Sequence, residues 1–286
     1  MKNTLKIFQI MLHPSKKKSA DLYEFFSTQN NLAEKSLYLN LGYWKNAATY
    51  DEACEAMAEL LAKTAQLGPG DNVLDVGFGF GDQDFFWINR FHPKKITGLN
   101  ITKSQVDIAQ QRARALKCGE KVEFHCGSAT QMTFPPESFD KVLALETAFH
   151  FDTREKFLAQ AFSVLRSQGR VALVDIIPRL DAKKLSIKNH ITDFVGRSFW
   201  QIPKVNAYTQ HVYRRKMEAL GFKDIQIQSI RDEVFAPFSR YAKKRLEEQE
   251  IVQRFDPFVY GFMKSAAKDG KVFDILDYVV VSAVKP

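Results

Sequence analysis

Residues 72–81 read Asn72-Val73-Leu74-Asp75-Val76-Gly77-Phe78-Gly79-Phe80-Gly81. Val73, Leu74 and Val76 form a short apolar run of the kind that makes a buried strand. Three glycines follow at alternate positions, and after them residues 84–91 carry a helical pattern. A strand, a glycine turn and a helix start together open a nucleotide-binding α/β unit. Lacking a Cβ, the glycines allow positive φ and a close approach of backbone to ligand. The helix start adds unpaired N–H groups and the positive end of a dipole.

The spacing discriminates among ligands. A dinucleotide fingerprint is G-x-G-x-x-G, and Gly77, Gly79 and Gly81 match it poorly. A phosphate-binding P-loop needs Lys and then Ser or Thr after its last glycine; Asp82 and Gln83 stand there, so that reading fails. A structural glycine turn after a core strand remains open on this stretch alone, so the rest of the chain has to decide.

From residue 71 onward a strand–helix order repeats. Residues 95–99, 122–126, 139–145 and 170–177 read as further strands. Helical patterns cover 102–117 and 153–165, and residues 167–169 read as the turn into the fifth strand. Such alternation implies a parallel sheet with helices on both faces and ligands at the carboxyl ends of the strands. Before it, residues 21–29 read as a short helix and 50–66 as a strong amphipathic one, closed by Gly68-Pro69-Gly70. After it, the order changes. Residues 180–205 read as a helical insertion, 209–220 as a helix, 222–230 as a strand, 237–269 as helical and 278–284 as a last strand.

The composition suits a folded chain of this size: 286 residues, 45% hydrophobic, 26% charged and 24 Phe. Cys54, Cys118 and Cys126 are scattered and form no C-x-x-C, which argues against a disulfide frame or a zinc site. The net charge of +8 is uneven: residues 67–178 hold 13 basic and 13 acidic side chains, residues 179–286 hold 20 and 13. A basic third is compatible with nucleic acid, an anionic membrane or an acidic substrate. Residues 1–12 lack the order of a secretory signal, and no run of about 18 apolar residues occurs, so a reduced, cytoplasmic chain is expected. The apolar start beside Lys16, Lys17 and Lys18 is compatible with peripheral docking on a membrane surface.

From residue 38 to residue 285 the chain resembles the class I S-adenosylmethionine (SAM)-dependent methyltransferases. The similarity is to the small-molecule branch that contains sterol, tocopherol and natural-product sugar O-methyltransferases. The stretches that carry it are Asn40-Leu41-Gly42-Tyr43-Trp44, the loop Asp75-Val76-Gly77-Phe78-Gly79-Phe80-Gly81, and Gly98-Leu99-Asn100-Ile101-Thr102 with Gln105. Phe134-Pro135-Pro136-Glu137-Ser138-Phe139-Asp140 and Leu165-Arg166-Ser167-Gln168-Gly169-Arg170 complete the set. The resemblance implies an α/β fold with a doubly wound, mostly parallel seven-stranded sheet and helical N-terminal and lid insertions. Residues 1–66 would be a helical cap, 67–178 the SAM-binding core, and 179–286 a lid plus strands completing the same domain.

It also implies a site. Tyr38, Trp44, Asp75, Gly77, Gly79, Gly81, Asn100, Gln105, Ser128, Ala129 and Glu146 fall where the family holds SAM. An acidic residue suits a cofactor that carries an ammonium and a sulfonium but no phosphate. Two departures stand out. Asn100 ends strand two where an acid usually takes the ribose hydroxyls, so Asn100 and Gln105 would share them; and Gly127-Ser128-Ala129 replaces the usual G-D-A near the adenine. His150, just past the fourth strand, falls where related O-methyltransferases use a histidine to remove the acceptor proton, with Asp175 as its companion carboxylate and Glu146 as a second candidate.

The expected activity is therefore methyl transfer from SAM to a hydroxyl of a fairly apolar small molecule. The protein's part is alignment, dry surroundings and a base. Aromatic residues of the two late helical segments (Phe194, Phe199, Trp200, Phe238, Tyr241, Phe255 among them) are the expected acceptor lid, with Lys243, Lys244 and Arg245 steering an acidic acceptor or membrane. No H-x-x-H, H-E-x-x-H or paired-carboxylate motif occurs, so no metal is expected. N- or C-methylation of a lipid or amine is the nearest alternative. A nucleic-acid methyltransferase is disfavoured because N-P-P-Y and P-C motifs are absent. A homodimer is compatible with all of these readings.

Overall fold

The computed structural model describes residues 32–179, 202–257, 259–261, 263–264 and 273–286. The expected helix at 21–29, the segment beside Lys16–Lys18 and most of the 180–205 insertion, with Phe194, Phe199 and Trp200, lie outside the described residues.

The glycine stretch forms as read. Strand β1 is Asn72–Val76, and helix α2, Asp82–Phe91, starts directly after Gly81. The helix before them, α1 (Tyr50–Thr64), is opened by Thr49: its hydroxyl accepts from the Glu52 N–H, and Glu52 reaches back to the Thr49 N–H. Such a reciprocal cap contributes about 0.5–2 kcal/mol. The remaining strands are β2 (Lys95–Asn100), β3 (Val122–Cys126), β4 (Phe139–Leu145), β5 (Leu165–Pro178), β6 (Lys223–Ser229) and β7 (Leu276–Val284). Helices α3 (Lys103–Ala115), α4 (Arg154–Val164), α5 (Gln210–Ala219), α6 (Phe235–Arg245) and α7 (Gln249–Arg254) lie between them.

One seven-stranded sheet results, ordered β3-β2-β1-β4-β5-β7-β6. The first five strands are mutually parallel, and β7 runs antiparallel between β5 and β6. Both faces are buried, and the two-residue period of a strand sends successive side chains to opposite cores. In β5, Ala172 and Val174 join the core that contains α1 and α2, while Val171 and Leu173 join the core that contains α4 and α5. The sheet order reverses between β1 and β4, and the crevice at that reversal is where an open α/β sheet binds its ligand.

Three readings need correction. Residues 167–169 are not a free turn: β5 begins at Leu165, because Gln168 N–H donates to Lys285 O (2.8 Å) and Lys285 N–H to Gly169 O (2.9 Å). Pairing with the end of β7 overrides the turn signal, at the cost of a positive φ of 64° at Gln168. The aromatics Phe238 and Phe255 are core, not lid. Phe238 lies 6.3 Å from the ring of Tyr50, and Tyr241 packs 4.9 Å from Trp44. Arg245 is buried and ion-paired with Glu248, so it does not steer ligands. Among the described residues, no helix is long and apolar enough to cross a membrane, and no group of three His, Cys, Asp or Glu could hold a metal ion.

Candidate active site

The glycine loop faces a cleft of about 520 Å³, open mouth included, at the reversal of the sheet order. Gly77 and Gly79 line it. Gly77 has φ +83°, and a Cβ there would lie 2.3 Å from Thr147 Oγ1, so only glycine lets β1 and the end of β4 approach this closely. Gly79, at φ +58°, would place a Cβ no nearer than 3.7 Å to any neighbour: its bare backbone is open to the cleft. Gly81, at φ +85°, caps α2 and does not line the cleft.

Beneath the loop is a buried acid pair. Asp75 and Asp84 are both fully buried, and their carboxyls lie close enough to influence each other's protonation. Gln83 Nε2 donates to Asp75 Oδ2 at 3.0 Å. Burial pushes both carboxyls up, and for Asp84 the neighbouring Asp75 charge adds to it. The pair therefore retains a proton at a pH where an exposed aspartate has lost its own. Asp84 sits in the first turn of α2, where an acid is ordinary, so nothing in the sequence set it apart.

Across the cleft, the chain leaves β4 through Leu145, Glu146 and Thr147, all of which line the cleft. Glu146 takes a left-handed φ of +52°, a strained conformation for a side-chain-bearing residue, of order 1 kcal/mol or more. Its Oε2 accepts from Leu41 N–H (2.8 Å) and from the Tyr278 hydroxyl. Burial pushes its carboxyl up to about 8, against the two hydrogen bonds that favour the charged form. The strain is held in place by contacts from residues 105 and 132 positions away.

His150 closes the short 3₁₀ turn Ala148–His150 and is 7% exposed, its ring centroid 4.1 Å from that of Phe149. It does not line the glycine-loop cleft. The carboxylate expected to serve it is committed elsewhere: Asp175 Oδ2 lies 2.7 Å from Arg154 Nε and accepts from the Tyr213 hydroxyl at 3.1 Å. Arg154 and Asp175 are both wholly buried. Burial pushes the Asp175 carboxyl up more than Arg154 pulls it down, and for Arg154 burial pulls down while Asp175, with Tyr213 and Tyr208, together hold the guanidinium above its usual range. The two form a buried ion pair, and the contacts shown for Asp175 are those with Arg154 and Tyr213.

The other expected site residues divide. Gln105 lines the cleft, and Asn100 Nδ2 donates to Gln105 Oε1 (2.8 Å). Gln105 Nε2 is buried with no hydrogen-bond partner among the described residues. Ser128 and Ala129 do not line the cleft; the Ser128 hydroxyl is 3.1 Å from that of Thr130, and Ala129 belongs to the core. Tyr38 and Trp44 are also core residues, with Trp44 Nε1 donating to Leu41 O (2.7 Å). Their neighbours Leu37, Leu39 and Asn40 form the wall instead. Sequence reasoning missed these, and missed Asp84, Arg154 and Asn206. Alternation along 37–40 could have flagged the first group; Arg154 and Asn206 carried no local signal.

The donor set favours a cation over a phosphate. Among the described residues no Lys or Arg lines the cleft, and the lining acids are Glu146 and Asp82. Asp82 is already balanced by Arg112 through contacts of 2.6 and 2.9 Å, which leaves Glu146 as the acid without a cation partner on the lining. With Gly79 bare and Gln105 Nε2 a spare donor, these residues fit a cationic, ribose-bearing cofactor.

Comparisons with known proteins identify the family. Residues 74–173 match the methyltransferase domain family. The chain is 35% identical over 277 residues to erythromycin 3''-O-methyltransferase of Saccharopolyspora erythraea, covering 92% of this chain and 89% of that one. It is 30% identical over 251 residues to 27-O-demethylrifamycin SV methyltransferase of Amycolatopsis mediterranei, covering 87% and 90%. Among solved structures, the cyclopropane synthase MmaA2 from Mycobacterium tuberculosis superposes with a TM-score of 0.80 at 18% identity, covering 96% of this chain and 99% of that one.

Proposed function

Because the chain belongs to the SAM-dependent O-methyltransferases, we propose that it methylates a hydroxyl of a fairly apolar natural product, with His150 taking the hydroxyl proton. The observation that carries the second part is the placing of the histidines. Of those described, His92, His125 and His211 are exposed; His150 alone is buried, four residues beyond Glu146 at the carboxyl end of β4.

When bound, SAM supplies a methyl group on a sulfonium, ready for in-line displacement. Glu146, on the lining, meets the positive end of the amino-acid part, and Asp75 backs the loop beneath it. Gln105, with its spare Nε2 donor and its bond to Asn100, meets the ribose hydroxyls. The bare backbone of Gly79 lets the cofactor lie against the loop. His150 accepts the acceptor's proton on its imidazole as the oxygen attacks, which raises the oxygen's nucleophilicity at the moment of transfer. Asp175 acts at a distance here, by neutralising Arg154 on the element that follows His150.

The test has two arms. With methyl-labelled SAM and a panel of natural-product alcohols that includes 27-O-demethylrifamycin SV, label is expected on an oxygen of one acceptor; label found only on nitrogen or carbon would overturn the hydroxyl assignment. On that acceptor, His150→Ala is expected to lower kcat by roughly 10²–10⁴ and to leave the affinity for S-adenosylhomocysteine within about twofold. An unchanged kcat would remove His150 from the chemistry.

A further inference from the structure

The turn that carries His150 is held by a residue 56 positions further along the chain. Asn206, 1% exposed, ends the short 3₁₀ turn Lys204–Asn206. Its side-chain Nδ2 donates to Phe149 O at 3.1 Å and to Phe151 O at 2.9 Å, the two carbonyls that flank His150. Its Oδ1 accepts from Arg154 N–H at 2.9 Å, and its own carbonyl accepts from Arg154 Nη1 at 2.8 Å. One side-chain amide thus satisfies three backbone groups across six residues. An amide is the side chain for this, since it offers two donors and an acceptor in one plane. Aspartate would present a second acceptor to the two carbonyls, and serine would reach only one of them.

The clamp is itself braced. Arg154 is ion-paired to Asp175 at 2.7 Å, and its guanidinium stacks 4.7 Å from the ring centroid of Tyr208 and 4.9 Å from that of Tyr213. Tyr213 closes the circuit on Asp175. Within the turn itself His150 N–H donates to Thr147 O (3.0 Å) and Phe151 N–H to Ala148 O (3.3 Å), a single short helical turn that has little stability of its own. The backbone on both sides of His150 is therefore oriented by Asn206, and Asn206 is oriented by the buried ion pair.

We propose that Asn206 is the positioning residue of His150: it sets the direction of the imidazole through the carbonyls of Phe149 and Phe151 without touching cofactor or acceptor. This rests on the assignment of His150 as base. It gives Arg154 and Asp175 a place behind the reaction, and it makes a residue of the C-terminal third of the chain a determinant of catalysis.

The experiment is a double-mutant cycle between Asn206→Asp and His150→Gln, read with the full chain on the acceptor identified above. Amide hydrogen exchange over residues 147–153 and S-adenosylhomocysteine affinity are measured alongside. Asn206→Asp is expected to speed exchange in that turn, to leave the affinity within about twofold, and to lower kcat tenfold or more in the wild-type background. In the His150→Gln background its further effect on kcat should be less than twofold, because the group it positions is gone. An equal fall in both backgrounds, or no fall in the first, overturns the positioning role while leaving His150 as base. If His150→Gln turns over like the wild type, the base assignment fails, and with it any action of Asn206 through His150. Should Asn206→Asp not fold, Asn206→Ser is read in the same way; failure of both to bind S-adenosylhomocysteine would assign Asn206 a purely structural role and overturn the proposal.

Discussion

The two walls of this site are built differently. On the glycine-loop wall the partners are close in sequence: Asp75 bonds Gln83, eight residues on, and faces Asp84, nine residues on. On the β4–β5 wall they are distant. Glu146 is held from Leu41 and Tyr278, 105 and 132 positions away, Arg154 from Asn206, 52 positions away, and Asp175 from Tyr213, 38 positions away. A local wall is set by one turn and tolerates change elsewhere. An assembled wall depends on the whole sheet and on the chain after it. The proposed base is thus held by a composite device, which is the part of a fold that can be rebuilt around a new acceptor.

The comparison is most exposed to Asp175→Asn. Removing one partner of a wholly buried ion pair leaves Arg154 uncompensated and should cost about 3–5 kcal/mol of stability. Denaturant unfolding with an unchanged slope would measure it. Below the unfolding midpoint, the affinity for S-adenosylhomocysteine should stay near that of the wild type, since the glycine-loop wall does not use Asp175. A cost under 1 kcal/mol would mean that the composite wall is not braced by this pair.

A smaller effect is expected where the two walls touch. Gly77→Ala forces a Cβ against Thr147 at 2.3 Å and a side chain into φ +83°. Strain and overpacking together should cost about 2–3 kcal/mol and weaken S-adenosylhomocysteine binding by calorimetry. Adding Thr147→Ala should recover the steric part and leave the backbone part, which separates contact between the walls from the conformational demand of the loop. No recovery would place the whole cost in the backbone.

The smallest effect probes the glycine-loop wall alone. Asp75 and Asp84 both have folded-state pKa values raised by burial, so the native state holds more protons than the unfolded chain above about pH 4. Their contribution is fully present below that pH and is lost as pH rises through the folded-state values. Asp84→Asn keeps a hydrogen-bond donor toward Asp75 and removes one of the two titrating groups. Its melting temperature relative to the wild type should therefore rise between pH 5 and pH 8, by an amount corresponding to about 1 kcal/mol. A difference that does not change with pH would show that the two acids do not share a proton.

The resemblance named the fold, the cofactor and the reaction from short ordered stretches, because each of those is recorded locally. A strand pattern needs five residues, and a glycine turn needs three. Asp75, Gly77, Gly79, Glu146 and Gln105 were legible for that reason, and each stands on the cleft or directly beneath it. Tyr38, Trp44 and Ala129 are core residues and Ser128 bonds Thr130, while their neighbours Leu37, Leu39 and Asn40 line the glycine-loop cleft. The pairing of β7 with β5, which brings Tyr278 to Glu146, has no local mark. Nor does the return of Asn206 to the His150 turn, or the pairing of Asp175 with Arg154. An arginine buried without a carboxylate is costly, so the burial of Arg154 goes with its ion pair to Asp175. The sequence by itself determined the glycine wall and the chemistry it serves; only tertiary structure, by deciding which charges were buried together, decided what holds the other wall in place.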